Sequence, residues 1–312
     1  MTDLFHDFVL KAPPWAAQRH ALSYQRRSLA YGELADRVAR MAAALTRLDL
    51  ARGERVAVYM EKRVECVLTI FGAAAAGGAF VPVNPLLKPD QVGYILRDCG
   101  VRILVTTPER LTLLGPVLHH CPSVRAVVVT DNAAADTADL SATEIVPWEE
   151  ALSGSAPALP RVIDSDMAAI LYTSGSTGKP KGVVLSHRNL VAGARSVAQY
   201  LQNDPEDRIL SALPLSFDYG LSQLSTAFHT GACAVLINYL LPRDVIKHVE
   251  KERITGLGAV PALWIQLAQL DWPTGTDEHL RYLTNSGGRM PQTTLALLRA
   301  KLPKTRRFSC TD

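Results

Sequence analysis

The chain lacks an excess of charge of either sign. Its 33 Lys and Arg against 30 Asp and Glu leave +3 over 312 residues, too little for a surface built to bind nucleic acid or another polyanion. The basic clusters, Arg26-Arg27 and Lys301, Lys304, Arg306 and Arg307 near the end, read as solvated surface. Cysteine is scarce and unpatterned: Cys66, Cys99, Cys121, Cys233 and Cys310 are odd in number and show no CxxC spacing. That argues against a disulfide framework and against a zinc site. His119-His120-Cys121 has no second ligand cluster near it in sequence and is read as structural, so no metal ligand is assigned. The N-terminus lacks a clean apolar h-region, so a secretory signal is not expected and the cytoplasm is the expected compartment. The one long uncharged run, Cys66–Val83, is mostly Ala and Gly, with Gly77-Gly78 and Pro82 near its end. It reads as a buried helix breaking into a strand rather than as a membrane span. No repeat of solenoid period is visible.

What is present is alternation. Tyr31, Leu34, Val38, Met41, Leu45 and Leu48 recur at spacings of three and four, one apolar stripe of a helix. A strand follows at Arg55–Met60, a helix at Val64–Ala76 and a strand at Ala79–Val83. After a Pro-punctuated loop come a short helix over Val92–Asp98 and strands at Val101–Thr106 and Ala126–Thr130. Further strands are predicted at Ala169–Thr173, Arg208–Leu213, Cys233–Ile237, Gly256–Val260 and Tyr282–Asn285. This order indicates an α/β fold with mixed, largely parallel sheets flanked by helices. Asp131–Leu159 is rich in Ala, Asp, Thr, Ser, Gly and Pro, and is expected to be an exposed connection and a subdomain boundary.

The chemistry lies in Thr173–Gly182, TSGSTGKPKG. Gly175, Gly178 and Gly182 let main-chain N–H groups approach an anion. Thr173, Ser174, Ser176 and Thr177 add hydroxyl donors, and Lys179 and Lys181 add positive charge around a stiffening Pro180. Many short donors and a few cations on a tight turn suit a triphosphate. The spacing is not that of the P-loop NTPases, because Gly175 to Gly178 is too short and Pro180 stands where Ser or Thr follows the Lys. The loop is embedded between the apolar AAILY and GVVLSH, which distinguishes it from a surface linker.

The run ILYTSGSTGKPKGVVLSHRNL resembles the signature of the AMP-forming acyl-CoA synthetase, luciferase and amino-acid adenylation superfamily. Leu29–Leu34 (LAYGEL), Ala75–Asn84 (AAGGAFVPVN), Ala212–Gly220 (ALPLSFDYG) and Asn285–Pro291 (NSGGRMP) resemble further elements of that family, in the same order. The resemblance implies that ATP and a carboxylic acid form an acyl-adenylate, and that a thiol of coenzyme A or of a carrier protein's phosphopantetheine then takes the acyl group. Carried over, Thr173, Ser174, Gly175, Ser176, Thr177, Gly178 and Lys179 would hold the β- and γ-phosphates with Lys181 nearby. Among them Thr177 and Lys179 are the expected catalytic contributors. Gly287, Gly288 and Arg289 would border the base, and ATP comes with Mg2+. Phe217 and Asp218 match the F-D-x-S of amino-acid adenylating members, whose Asp meets the substrate ammonium, but Gly220 replaces the Ser. Asp218 is alternatively a helix or turn cap, and Trp264 is either a pocket wall or a core residue.

The leading expectation is therefore an acyl-CoA synthetase-like ligase. The alternatives are an amino-acid adenylating ligase that loads a carrier protein, and a nucleotide-binding fragment without catalysis. The family's aromatic-Gly-x-T-E element, its ribose-binding Asp and its small C-terminal domain have no counterpart before Asp312. The fold is therefore expected to be incomplete at its C-terminus, through truncation or a shifted reading frame near residue 306. RRFSCTD is expected to form neither strand nor helix.

Overall fold

Apolar runs such as Ala79–Pro82, Ala126–Val129 and Cys233–Leu236 are buried at every position, as strands covered on both faces must be. The computed structural model describes residues 4–131, 143–154, 159–173 and 179–309. In chain order the first elements are α1 (Asp7–Leu10), β1 (His20–Tyr24), β2 (Arg27–Ala30), α2 (Tyr31–Arg47), β3 (Arg55–Tyr59), α3 (Val64–Ala75) and β4 (Ala79–Pro82). Next come α4 (Pro89–Asp98), β5 (Val101–Thr106), α5 (Pro108–Leu118), β6 (Ala126–Val129), β7 (Glu144–Pro147), α6 (Trp148–Ser153), β8 (Met167–Thr173), β9 (Lys181–Ser186) and α7 (His187–Leu201). The remainder are β10 (Arg208–Ser211), α8 (Asp218–Thr230), β11 (Cys233–Leu236), α9 (Pro242–Lys251), β12 (Gly256–Ala259), α10 (Pro261–Gln269), α11 (Thr276–His279), β13 (Tyr282–Asn285), α12 (Gln292–Lys301) and β14 (Arg306–Ser309).

The chain divides into two compact units. Unit 1 comprises Met1–Ala17, Tyr31–Ala192 and Leu215–Phe217; unit 2 comprises Gln18–Ala30, Gly193–Pro214 and Asp218–Asp312. Unit 1 is built on a seven-stranded sheet of order β7-β6-β5-β3-β4-β8-β9, parallel throughout except for the antiparallel β8–β9 pair at its edge. Unit 2 is built on a second seven-stranded sheet, β14-β13-β12-β10-β11-β1-β2, again parallel except for the β1–β2 hairpin at its edge. The predicted α/β class and largely parallel pairing are observed.

In unit 1 the helical stripe of α2 is buried as its spacing requires, and α2 meets α3 closely at Gly72. A Cβ there would stand 2.5 Å from Met41 Cγ and 3.2 Å from the Ala42 nitrogen. The uncharged run Cys66–Val83 is indeed a buried helix followed by a strand, with Gly77 at φ +78° marking the break. Among the described residues no helix is long and apolar enough to cross a membrane.

Two expectations are corrected. Asp131–Leu159 is more than a connection: it contributes β7 and α6, with Trp148 and Ala151 buried in unit 1. Its polar composition conceals a strand of only four residues. At the other end, RRFS does form a strand, because β14 takes the open edge of β13 in parallel register, Tyr282 opposite Arg306 and Asn285 opposite Ser309. Main-chain pairing there does not need an apolar sequence.

His187, the first residue of α7, is fully buried in unit 1, and its Nδ1 accepts the Phe5 N–H at 3.1 Å. Burial, helped by neighbouring His6, pushes its pKa down from 6.5 to about 4. The unfolded chain therefore binds the proton more readily than the folded one between those values. Stability is full above pH 6.5 and falls as the pH drops toward 4, by up to about 3 kcal/mol. Urea titrations at pH 7, 5.5 and 4.5 should show this loss, and His187→Asn, which keeps an acceptor, should flatten it. An unchanged slope in the variant would rule out His187 as its source.

Candidate functional site

The β8–β9 hairpin fixes the stems of the Gly-rich loop. Tyr172 lies opposite Gly182 and Thr173 opposite Lys181 in antiparallel register. Ser174, Gly175, Ser176, Thr177 and Gly178 lie outside the described residues. Thr173, Lys179 and Lys181 are described and all three are exposed, so one hydroxyl and two ammonium groups collect at one end of the hairpin. Gly182 is a glycine because the Tyr172 ring crosses it: a Cβ there would stand 2.7 Å from Ile170 Cγ2 and 3.2 Å from Tyr172 Cζ. Past β9, Ser186 Oγ receives the Asn189 N–H at 3.2 Å while Asn189 Oδ1 accepts the Ser186 N–H at 3.0 Å. This reciprocal cap starts α7 directly behind the loop's outgoing strand.

Unit 2 carries the other expected residues apart from Phe217. Gly287 and Gly288 have φ +80° and +152°, values that favour glycine. The buried Asn285 at the end of β13 donates from Nδ2 to the Gly288 carbonyl at 2.7 Å, which holds this turn, and Arg289 beyond it is exposed. Asp218 begins α8 and is exposed; its Oδ1 accepts the N–H of the next residue, Tyr219, at 2.7 Å. Phe217, the last residue of unit 1, is 46% exposed. Trp264 is a core residue. It is fully buried, and its Nε1 donates to the carbonyls of Ala259 (3.2 Å) and Thr284 (3.1 Å), leaving no face for a ligand.

One cavity in unit 2 is lined by residues outside the set of expected site residues. Tyr219, Ser222, Gln223 and Thr226 of α8 line a cavity of ≈ 20 Å³ together with Gly258 and Thr284, room for about one water. Three polar groups converge on Gly258: a Cβ there would lie 2.7 Å from Gln223 Nε2, 2.9 Å from Thr284 Oγ1 and 3.0 Å from Tyr219 Oη. Tyr219 Oη is hydrogen-bonded to Thr284 Oγ1, and Gln223 Nε2 donates to the Gly258 carbonyl at 3.0 Å. Gln223 Oε1 and Thr226 Oγ1, both buried, have no partner among the described residues. The available signal was a glycine inside an apolar strand, which marks close approach of another group.

The AMP-binding enzyme family matches this chain over residues 12–310. The chain belongs to that family. Its relatives include the L-proline--[L-prolyl-carrier protein] ligase of Streptomyces coelicolor, 34% identical over 288 residues that cover 88% of this chain and 52% of the relative. Feruloyl-CoA synthase of Amycolatopsis sp is 31% identical over 267 residues, 85% of this chain and 50% of the relative. This chain thus spans about half the length of these two relatives. The crystal structure of the anthranilate CoA ligase AuaEII in complex with anthranoyl-AMP matches with TM-score 0.87 over 100% of this chain and 62% of that one, at 21% identity, a likeness of fold.

Where this family member departs from the F-D-x-S pattern, the backbone supplies the reason. A Cβ at Gly220 would stand 2.0 Å from the Pro214 carbonyl oxygen, a backbone atom that cannot swing aside. Gly220→Ser should therefore destabilise the chain by about 1–3 kcal/mol, read as a fall in Tm. A variant that melts with the parent would show that α8 sits farther from Pro214.

Proposed function

We propose that this chain is the nucleotide-gripping part of an ATP-dependent acid–thiol ligase, which activates a carboxylic acid as its acyl-adenylate and passes the acyl group to a thiol. The observation that carries the reading is the exposed group of Thr173, Lys179 and Lys181 on the β8–β9 hairpin of a chain of this family. A nucleoside triphosphate brings the leaving group, pyrophosphate, and the electrophilic α-phosphorus. The work of the hairpin is to neutralise and hold: the two ammonium groups face the phosphate charge, and the hydroxyls and loop N–H groups donate to it. Positioning and electrostatics account for most of such a step. Mg2+ would travel with the phosphates. Among the described residues no group of three His, Cys, Asp or Glu side chains is placed to hold an ion, so no step is assigned to it.

The acid would enter unit 2 beside α8. Gln223 Oε1 and Thr226 Oγ1 offer acceptors, and a donor on Thr226, to a polar acyl group, but the cavity has room for about one water, so an acid enters it only once Tyr219 leaves Thr284. The acceptor in the leading reading is coenzyme A. A second reading, activation of an amino acid for a carrier protein, is favoured by Phe217-Asp218 at the start of α8 and by the name of the Streptomyces relative. There the exposed Asp218 carboxylate would pair with the substrate ammonium.

ATP–pyrophosphate exchange with a panel of fatty, aryl and amino acids decides between them. Lys179→Ala or Thr177→Ala should lower exchange about 100-fold, the usual effect of losing one electrostatic donor. Exchange with aryl or fatty acids supports the coenzyme A reading. Exchange with an amino acid that Asp218→Ala abolishes supports the carrier-protein reading. ATP binding without exchange for any acid leaves a nucleotide-binding protein, and unaffected exchange in the loop variants contradicts the role given to the loop.

A further inference from the structure

We propose that the C-terminal turn of α4 is the positioning platform of the phosphate loop, with Asp98 and Tyr94 holding its two stems without touching the nucleotide. The proposal rests on the phosphate reading of the loop. A loop that grips an anion through main-chain N–H groups binds tightly only if those groups are already held at the ligand's spacing; ordering them on arrival weakens binding. The hairpin alone does not provide this, because β9 is the edge of its sheet and pairs on one side only.

Both stems are tied to α4 instead. On the incoming strand, the Tyr172 hydroxyl donates to Asp98 Oδ2 at 2.6 Å. On the outgoing side, the Tyr94 hydroxyl lies 3.3 Å from the Pro180 carbonyl oxygen and 3.3 Å from Asp98 Oδ1. Tyr94 and Asp98 are four residues apart on one helix, hence on one face. One carboxylate therefore links the last residues of β8 to the tyrosine that holds Pro180. The helix is a firm base, since Val92, Ile95 and Leu96 are buried in the core of unit 1. Gly182 completes the arrangement by leaving room for the Tyr172 ring. Burial and the adjoining Asp98 push both phenols above their ordinary pKa, so each keeps the proton it donates.

The loop contacts the β- and γ-phosphates, which AMP lacks, so the ratio of ATP to AMP affinity reports the loop alone. Calorimetric titration of this chain with each nucleotide should show Asp98→Ala weakening ATP about tenfold and Tyr94→Phe about threefold, with AMP binding unchanged. Asp98→Asn, which keeps an acceptor oxygen, should recover most of the loss. A purely structural role would lower Tm and leave the ratio as it was. If Lys179→Ala lowers the ratio while Asp98→Ala and Tyr94→Phe do not, the platform is refuted and the loop reading stands. If Lys179→Ala leaves the ratio unchanged, or the parent chain binds no ATP, the loop reading falls and the platform with it.

Discussion

The antiparallel turn-back at the edge of an otherwise parallel sheet is the constraint on which the proposed site of unit 1 depends. A parallel connection would carry the chain away from Thr173 and return it many residues later. The hairpin instead sets Thr173 directly opposite Lys181, with a short loop between them. The position on the edge leaves room for a ligand, and it also leaves β9 with one paired neighbour. Exposed Val183 and Val184 on that strand show the same openness.

Glycine repeatedly lets something else come close in this molecule. Gly72 admits Met41, Gly182 admits the Tyr172 ring, Gly220 admits the Pro214 carbonyl, and Gly258 admits three polar side chains at once. None of these four has a positive φ, in contrast to Gly287 and Gly288 at the expected nucleotide turn. Packing distance, more than backbone freedom, is what these four positions require. The polar convergence over Gly258 stands beside two buried oxygens, Gln223 Oε1 and Thr226 Oγ1, that have no partner among the described residues.

How much of this was legible in the sequence depended on scale. The α2 stripe, the buried strands and the Gly-rich loop announced themselves through period and composition, and all appear in the structure apart from the loop interior, Ser174–Gly178, which lies outside the described residues. Short elements did not: β7 and α6 hide in a polar stretch, and β14 is held by the edge it pairs with rather than by its own apolar content. Single residues were harder still. Asp218 and Trp264 each carried two readings, and only burial and partners showed one exposed at a helix start and the other locked into the core. Tyr94, Asp98 and Tyr172 were not part of the site read from the sequence. Their relation exists only because α4 packs beside the hairpin, a contact between residues 74 positions apart.

The direct test of the central claim is hydrogen–deuterium exchange of the peptide spanning 173–182, read by mass spectrometry with ATP, with AMP and without nucleotide. Its main-chain N–H groups should be protected by ATP and much less by AMP, because the phosphates that AMP lacks are the ones this loop is expected to bind. Equal protection by both nucleotides, or none by ATP while other peptides of the chain are protected, would contradict it.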